Sequence, residues 1–384
     1  MVSSAMMKVS LRTACTASAL TVLLLVGGCH RHRKSKSQPN TTAYADKLHE
    51  MVEKKVLPPE KVDTTKAPNL RWPNFSDYES IVASFYDDRN YEVAWTRDGA
   101  PTASAKGFIQ AFQDAASKGL IPEDYDAPRW ADRVQALSSK SQDAISLFDV
   151  AMTVNVMRYI SDLRIGRVNP SHFNFEVPIE DKKYDLAEFV SDNAVDATDV
   201  PKLIATVEPD SEEYRKTEAA LAHYMDLAKQ QDEAHADPLP TVPKAISVGG
   251  AYPALPALLT RLQLEGDAEP TATLASPTTF DSTLSDAVKH YQHRHGFTED
   301  GKLTPQTITS LNVPIDFRVA QLQDSLERWR WLPDPYLHAR LMVNLPEFVL
   351  RGFDPGHKLD FTMRVVVGKV MGQHETPVFT HMMK

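Results

Sequence analysis

The sequence predicts a multidomain α+β chain in which a long α-helical domain and a smaller three-helix unit precede the opening, incomplete part of a β-rich domain. Three observations carry this prediction. Apolar residues recur at helical spacing between residues 75 and 230; charge and prolines in "QQDEAHADPLPTVP" then break the pattern ahead of three short helical segments; beyond residue 336 the period drops to two among Val, Phe and Leu. The chain of 384 residues, 42% hydrophobic and 24% charged, holds enough apolar mass for more than one core. Its formal net charge of -9 speaks against a general nucleic-acid binder, which needs clustered Lys and Arg to neutralise phosphates.

Taken in order, residues 1–29 read as a secretory signal rather than as fold: Lys8 and Arg12 open it, "TASALTVLLLV" is its apolar core, and "VGGC" closes it. An apolar run of about ten residues is too short to span about 30 Å of hydrocarbon at 1.5 Å per residue. The "VGGC" ending resembles a bacterial lipobox, which implies lipidation of Cys29 and a membrane anchor. Only Cys15 and Cys29 are present, so no disulfide framework is expected. Residues 30–74 read as a flexible linker, with the basic run "RHRKSK" near the anchor and one weakly helical piece, "YADKLHEMVEKK".

Regular pattern then begins. Ile81 and Phe85 share a helical spacing, as do Phe108, Ile109, Phe112 and Ala116 before Gly119, a candidate C′ glycine. "SLFDVAMTVNVMRYISDLRIGRV" sustains an apolar face through Leu147, Val150, Val154 and Met157. These segments predict a helical domain over residues 75–230 and a linker over 231–245. The unit at 246–314 is built from "PALPALLTRLQLEG", "DSTLSDAVKHYQHRHG" and "TPQTITSLNV", with Thr304 as N-cap and Pro305 at N1 of the last. A connecting helix follows at 315–335, and "ARLMVNLPEFVLRGF" and "LDFTMRVVVGK" within 336–384 carry strand chemistry.

The stretch "VKHYQHRHGFTEDG" raises a chemical question, because it crowds His290, His293 and His295 beside Lys289 and Arg294. On a helical wheel Leu284, Ala287, Val288 and Tyr291 share one face and the histidines fall mainly elsewhere. A zinc site needs three or four ligands, and no cysteine or HExxH frame accompanies these residues, so a solvated helix face is expected and no cofactor or metal is implied.

The pattern "DAVKHYQHRHGFTEDGKLTPQTITSLN" resembles the peptidoglycan-binding domain of bacterial wall hydrolases and transpeptidases, whose usual form is AVxxFQxxxGLxxDGxxGxxTxxxLN; Thr304 departs from its customary glycine. "FYDDRNYEVAWTRDGAPTASAKGFIQAFQDAASKGLIPEDY" and "RYISDLRIGRVNP" are similar to the helical scaffold domain of the large periplasmic L,D-transpeptidases. "LERWRWLP", "VNLPEFVLRGF", "MRVVVGK" and "TPVF" are similar to the junction and first strands of their catalytic domain. The resemblance implies an envelope protein that faces the periplasm or wall, with peptidoglycan glycan strands and stem peptides as partners. Tyr291, Arg294, His295 and Asp300 are the candidate peptidoglycan contacts, with core packing, capping and solubility as competing roles for each. Trp329, Trp331, Arg164 and Arg167 are expected to serve structure instead.

The family's reaction implied by that resemblance is attack of a cysteine thiolate on a stem-tetrapeptide amide, which requires a histidine partner and oxyanion donors. Its HxxxSxGC-type motif is absent here, and His357, His374 and His381 have no thiol near them in sequence. No catalytic residue is therefore assigned, and the chain as given is expected to be inactive in that chemistry. A fragment of a longer transpeptidase is the favoured expectation; the alternative is a non-catalytic, lipid-anchored peptidoglycan-binding protein. A glycan-cleaving enzyme would need two positioned acids of separated pKa, and no such pair stands out.

Overall fold

The computed structural model describes residues 41–56, 74–173, 175–234, 237–368, 376 and 378–379. The signal sequence, Cys29, the basic run, His374 and His381 lie outside the described residues.

Residues Thr41–Glu53 form α1 where the sequence marks a weakly helical piece within the linker of 30–74; its packing into a core is what corrects the linker reading there. Leu48, Met51 and Val52 fall at i, i+3 and i+4 on one face and enter the large helical core. The core continues through α2 (Glu79–Asp88), α3 (Ala103–Gln113), α4 (Trp130–Ala136) and the 24-residue α5 (Gln142–Ile165). Between α2 and α3 the dipeptide Asp98-Gly99, with φ of 54° and 77°, makes a primed turn joining β1 (Thr96–Arg97) to β2 (Ala100–Pro101). Thr102 caps α3 by accepting from the Ala105 N–H. Gly119, at φ 68°, closes the short 3₁₀ turn that follows.

Helix α5 departs from the one-faced amphipathic helix that its sequence suggested, because it is buried all round. Several of its polar side chains find partners inside. Asp149 accepts from the backbone N–H groups of Ala94 and Trp95 and from the Tyr86 hydroxyl (2.8 Å), while Thr153 Oγ1 accepts from Trp95 Nε1 at 2.8 Å. Asp162 accepts from Tyr125 at 2.7 Å, and Arg158 donates to Asp77 at 3.0 Å. A buried polar group is costly only when it lacks a partner, so these side chains specify the packing rather than oppose it.

After the short α6 (Leu186–Phe189), α7 (Val200–Val207) packs on α3, where Gly107 lies so close to Val200 that an added Cβ would meet it at 2.7 Å. The long α8 (Glu212–Ala234) pairs with α12 (Ile315–Trp331) through Tyr214, Leu221 and Leu326. The segment read as a connecting helix is therefore a packing partner of the helical domain. Its end is held firmly: Lys182 Nζ donates to the carbonyls of Arg330 (2.7 Å) and Leu332 (2.8 Å), which α12 leaves unsatisfied.

Between these two helices in the chain, α9 (Leu255–Leu264), α10 (Ser282–Arg294) and α11 (Pro305–Leu311) build a separate core. Leu239 and Val242, from the stretch read as linker, are buried in it. Beyond the short α13 (Asp334–Leu337), strands β4 (Leu341–Asn344), β5 (Val349–Phe353) and β6 (Leu359–Arg364) form an antiparallel meander. Pro346 falls in the turn that divides what reads as one strand-like run into β4 and β5. The registers Leu341↔Gly352↔Phe361 and Val343↔Leu350↔Met363 place apolar residues on one sheet face. Leu341, Val343, Phe361 and Met363 are exposed there. Val378–Phe379 (β7) pairs in parallel with Phe175–Glu176 (β3) of the helical domain. The fold is thus mostly helical with a small antiparallel sheet toward the C-terminus, the α+β arrangement that the sequence predicts.

Candidate functional site

Helix α10 organises the three-helix module. Asp281 caps it by accepting from the Leu284 N–H, and Leu284, Ala287, Val288 and Tyr291 turn inward. The last helix starts as its sequence demands, with the Thr304 side chain accepting from the Thr307 N–H and Pro305 at N1.

The residues of the recognisable motif prove to be joints. Gln292 is buried; its Nε2 donates to Asp300 Oδ1 and to the Lys302 carbonyl, each at 3.1 Å, and its Oε1 accepts from Gly301 N at 2.9 Å. The amide thereby clasps the Asp-Gly turn. Gly301 holds φ 67° with Ser285 Oγ 2.5 Å from the position of any added Cβ, so both conformation and space exclude a side chain. Asn312 pairs with both backbone groups of Leu239 at 2.8 Å, which ties the entering chain to the module.

Three of the four candidate contacts converge, and one does not. Tyr291 is fully buried, its hydroxyl 2.7 Å from Ser310 Oγ, and burial pushes its pKa up to about 12, so it stays protonated. The His295 ring lies 4.1 Å from the Tyr291 ring, and the Arg294 guanidinium 5.7 Å from it. Asp300 belongs instead to the clasped turn. Burial alone would raise its pKa, but the Lys302 N–H at 3.0 Å and Gln292 outweigh that and hold it below the ordinary carboxylate range.

Arg294 does not project freely. It donates from Nε to Asp267 Oδ1 at 2.8 Å, from Nη2 to Asp267 Oδ2 and to Glu265 Oε2 (3.1 Å), and from Nη1 to Tyr224 Oη of α8 at 3.1 Å. Burial works against the charged form of Glu265, yet the interactions with His295 and Arg294 more than offset it and lower its pKa. His295 Nε2 is 3.8 Å from Glu265 Oε2, an electrostatic approach rather than a hydrogen bond. Glu265, Asp267 and Tyr224 thus complete the cluster, and none was marked by sequence, since they sit 27 to 70 positions from Arg294. The only local signal was a pair of acids flanking Gly266 just past an apolar helix.

The remaining histidines part company. His290 Nδ1 meets Asp267 at 2.7 Å, and the exposed His293 meets Glu299 at 2.8 Å. Among the described residues no group of three or more His, Cys, Asp or Glu side chains could hold a metal ion. At the other end of α12, Glu327 Oε1 accepts from Arg167 N (2.6 Å), Val168 N (2.9 Å) and Trp331 Nε1 (3.2 Å), and Arg164 Nε donates to the Lys182 carbonyl. Trp331 packs edge-on against Phe175 and Trp329 joins the α8–α12 contact, so these arginines and tryptophans build the junction.

Two family models match the chain: one described as a scaffold domain over residues 80–221, the other as a peptidoglycan binding domain over residues 254–311. No curated protein gives a match. The protein therefore carries a scaffold domain beside a peptidoglycan-binding domain, with peptidoglycan as its partner and the cell wall or envelope as its setting. No helix among the described residues is long and apolar enough to cross a membrane.

Proposed function

We propose that the chain is a peptidoglycan-binding member of the L,D-transpeptidase family, exported and lipid-anchored through Cys29, in which residues 75–230 and 315–335 present the binding module of residues 246–314 to the wall. The observation that carries the reading is the module itself, with its closed core and its match over residues 254–311. The scaffold match over residues 80–221 adds to it. The sheet from β4 to β6 is, in this reading, the opening of the catalytic domain, and its exposed apolar face is the side that the rest of such a domain covers.

For this chain the proposed activity is binding: the cysteines of the sequence are Cys15 and Cys29, and the strand segments of residues 336–384 carry none. In the module, Tyr291 and Arg294 act as framework for the glycan-binding surface, and His295 and Asp300 border it. The test is co-sedimentation of the full chain with purified sacculi. The chain pellets with the wall, whereas Val288→Asp, which puts a charge into the module's core, stays in the supernatant while the scaffold keeps its helical signal. A full chain that remains soluble beside sacculi overturns the proposal.

A further inference from the structure

The turn between β5 and β6 places an imidazole where neither the module nor the scaffold core has use for it. Its backbone is secured without that ring: Asp354 Oδ1 accepts from the N–H groups of Gly356 and Lys358 at 2.9 Å, and the backbones of Asp354 and Lys358 bond at 2.9 Å. His357 sits at φ 59°, a left-handed conformation uncommon outside glycine, asparagine and aspartate. Its ring is sandwiched, stacked on Phe353 at 4.5 Å and met edge-on by His338 at 5.4 Å. Nε2 points to Glu213 Oε2 at 3.7 Å, at the first turn of α8. Both His357 nitrogens and that Glu213 oxygen are buried and make no hydrogen bond among the described residues.

An imidazole with two unmatched nitrogens facing an unmatched carboxylate oxygen is a contact one proton short of an ion pair. We propose that His357 and Glu213 form a proton-operated clasp that fastens the β4–β6 sheet to the start of α8 when His357 is protonated and loosens it when His357 is neutral. Histidine is the side chain whose ordinary titration falls between neutral and mildly acid pH, and charging it turns both nitrogens into donors. A distance of 3.7 Å needs to shorten by under 1 Å to become a charge-assisted hydrogen bond.

The surroundings favour that outcome. From α8, Glu212 is engaged by Lys216 at 2.6 Å and Arg215 by Asp210 at 2.9 Å, so Glu213 is the acid left facing the ring. At the C-cap of α13, His338 is the second imidazole against the ring; from the turn itself, Asp354 is committed to backbone and Lys358 follows the ring in sequence. The clasp is a joint between the sheet and the scaffold, and it is independent of the module's glycan binding.

Hydrogen exchange of the full chain at about pH 8 and about pH 5.5, corrected for intrinsic exchange rates, reads the clasp directly in peptides spanning β5–β6 and the start of α8. The expected result is protection greater by about threefold or more at the lower pH in those peptides, with the module's peptides unchanged. His357→Asn, which tolerates the left-handed turn, and Glu213→Gln, which keeps the size of the side chain and removes its charge, each remove the pH difference. Equal corrected exchange at the two pH values in the unmodified chain, or a difference that survives in both variants, overturns the proposal.

Discussion

At the scale of the residue, Arg294 shows how a side chain that resembles a ligand contact becomes a joint. Its guanidinium serves two carboxylates and a tyrosine at once, and Asp267 is buried with no side-chain exposure. Removing one partner of such a pair leaves a buried charge uncompensated, which costs about 3–5 kcal/mol. Arg294→Ala is therefore expected to lower the unfolding free energy of the module by roughly 2–4 kcal/mol, allowing for His290 as a residual partner of Asp267. Arg294→Lys recovers only part, because a compact ammonium cannot reproduce the planar fork. Urea denaturation followed by module tryptophan-free signals such as far-ultraviolet dichroism checks the order wild type, lysine, alanine; an alanine variant as stable as the wild type contradicts the joint.

At the scale of the element, legibility followed the range of the interaction. Local rules were readable in the chain: the Thr304-Pro305 start and the Gly119 stop each depend on neighbours within a few residues. The clustering of Arg294 with Glu265 and Asp267, and the burial of α5's polar face, depend on chain segments brought together by folding, so no spacing announced them. The case of α1 is intermediate. Its Lys and Glu content suggests a solvated spacer, yet Leu48, Met51 and Val52 form a narrow stripe that the helical core covers. Cavities left by Leu→Ala or Met→Ala in a close-packed core cost about 2–5 kcal/mol. Leu48→Ala and Met51→Ala are each expected to destabilise the scaffold by about 2–3 kcal/mol in chemical denaturation. A change under about 0.5 kcal/mol would return α1 to the role of a detached tether.

At the scale of the whole molecule, the contact of α8 with the scaffold core rests on a shared ion. Lys118 Nζ lies 2.9 Å from both Glu208 and Glu218, so one ammonium answers two carboxylates from different elements. Burial, reinforced by the charge of Glu208, pushes the Glu218 carboxyl from an ordinary 4.5 up to about 7. In the folded protein Glu218 thus keeps its proton over a range in which the unfolded chain has already lost it. Stability rises with pH only where the unfolded state binds more protons, and here the folded state binds more. The contribution of Glu218 is accordingly present below its unfolded value and disappears as pH rises from about 4.5 through about 7. Partial exposure and the nearby lysine screen the effect to roughly 1–2 kcal/mol. The unfolding free energy of the full chain from urea titration is expected to fall by that amount between pH 5 and pH 7.5, and Glu218→Gln, which keeps a neutral hydrogen-bonding group at every pH, is expected to flatten the fall. The same slope in the glutamine variant would place the titration elsewhere and leave the Lys118 bridge as an ordinary ion pair.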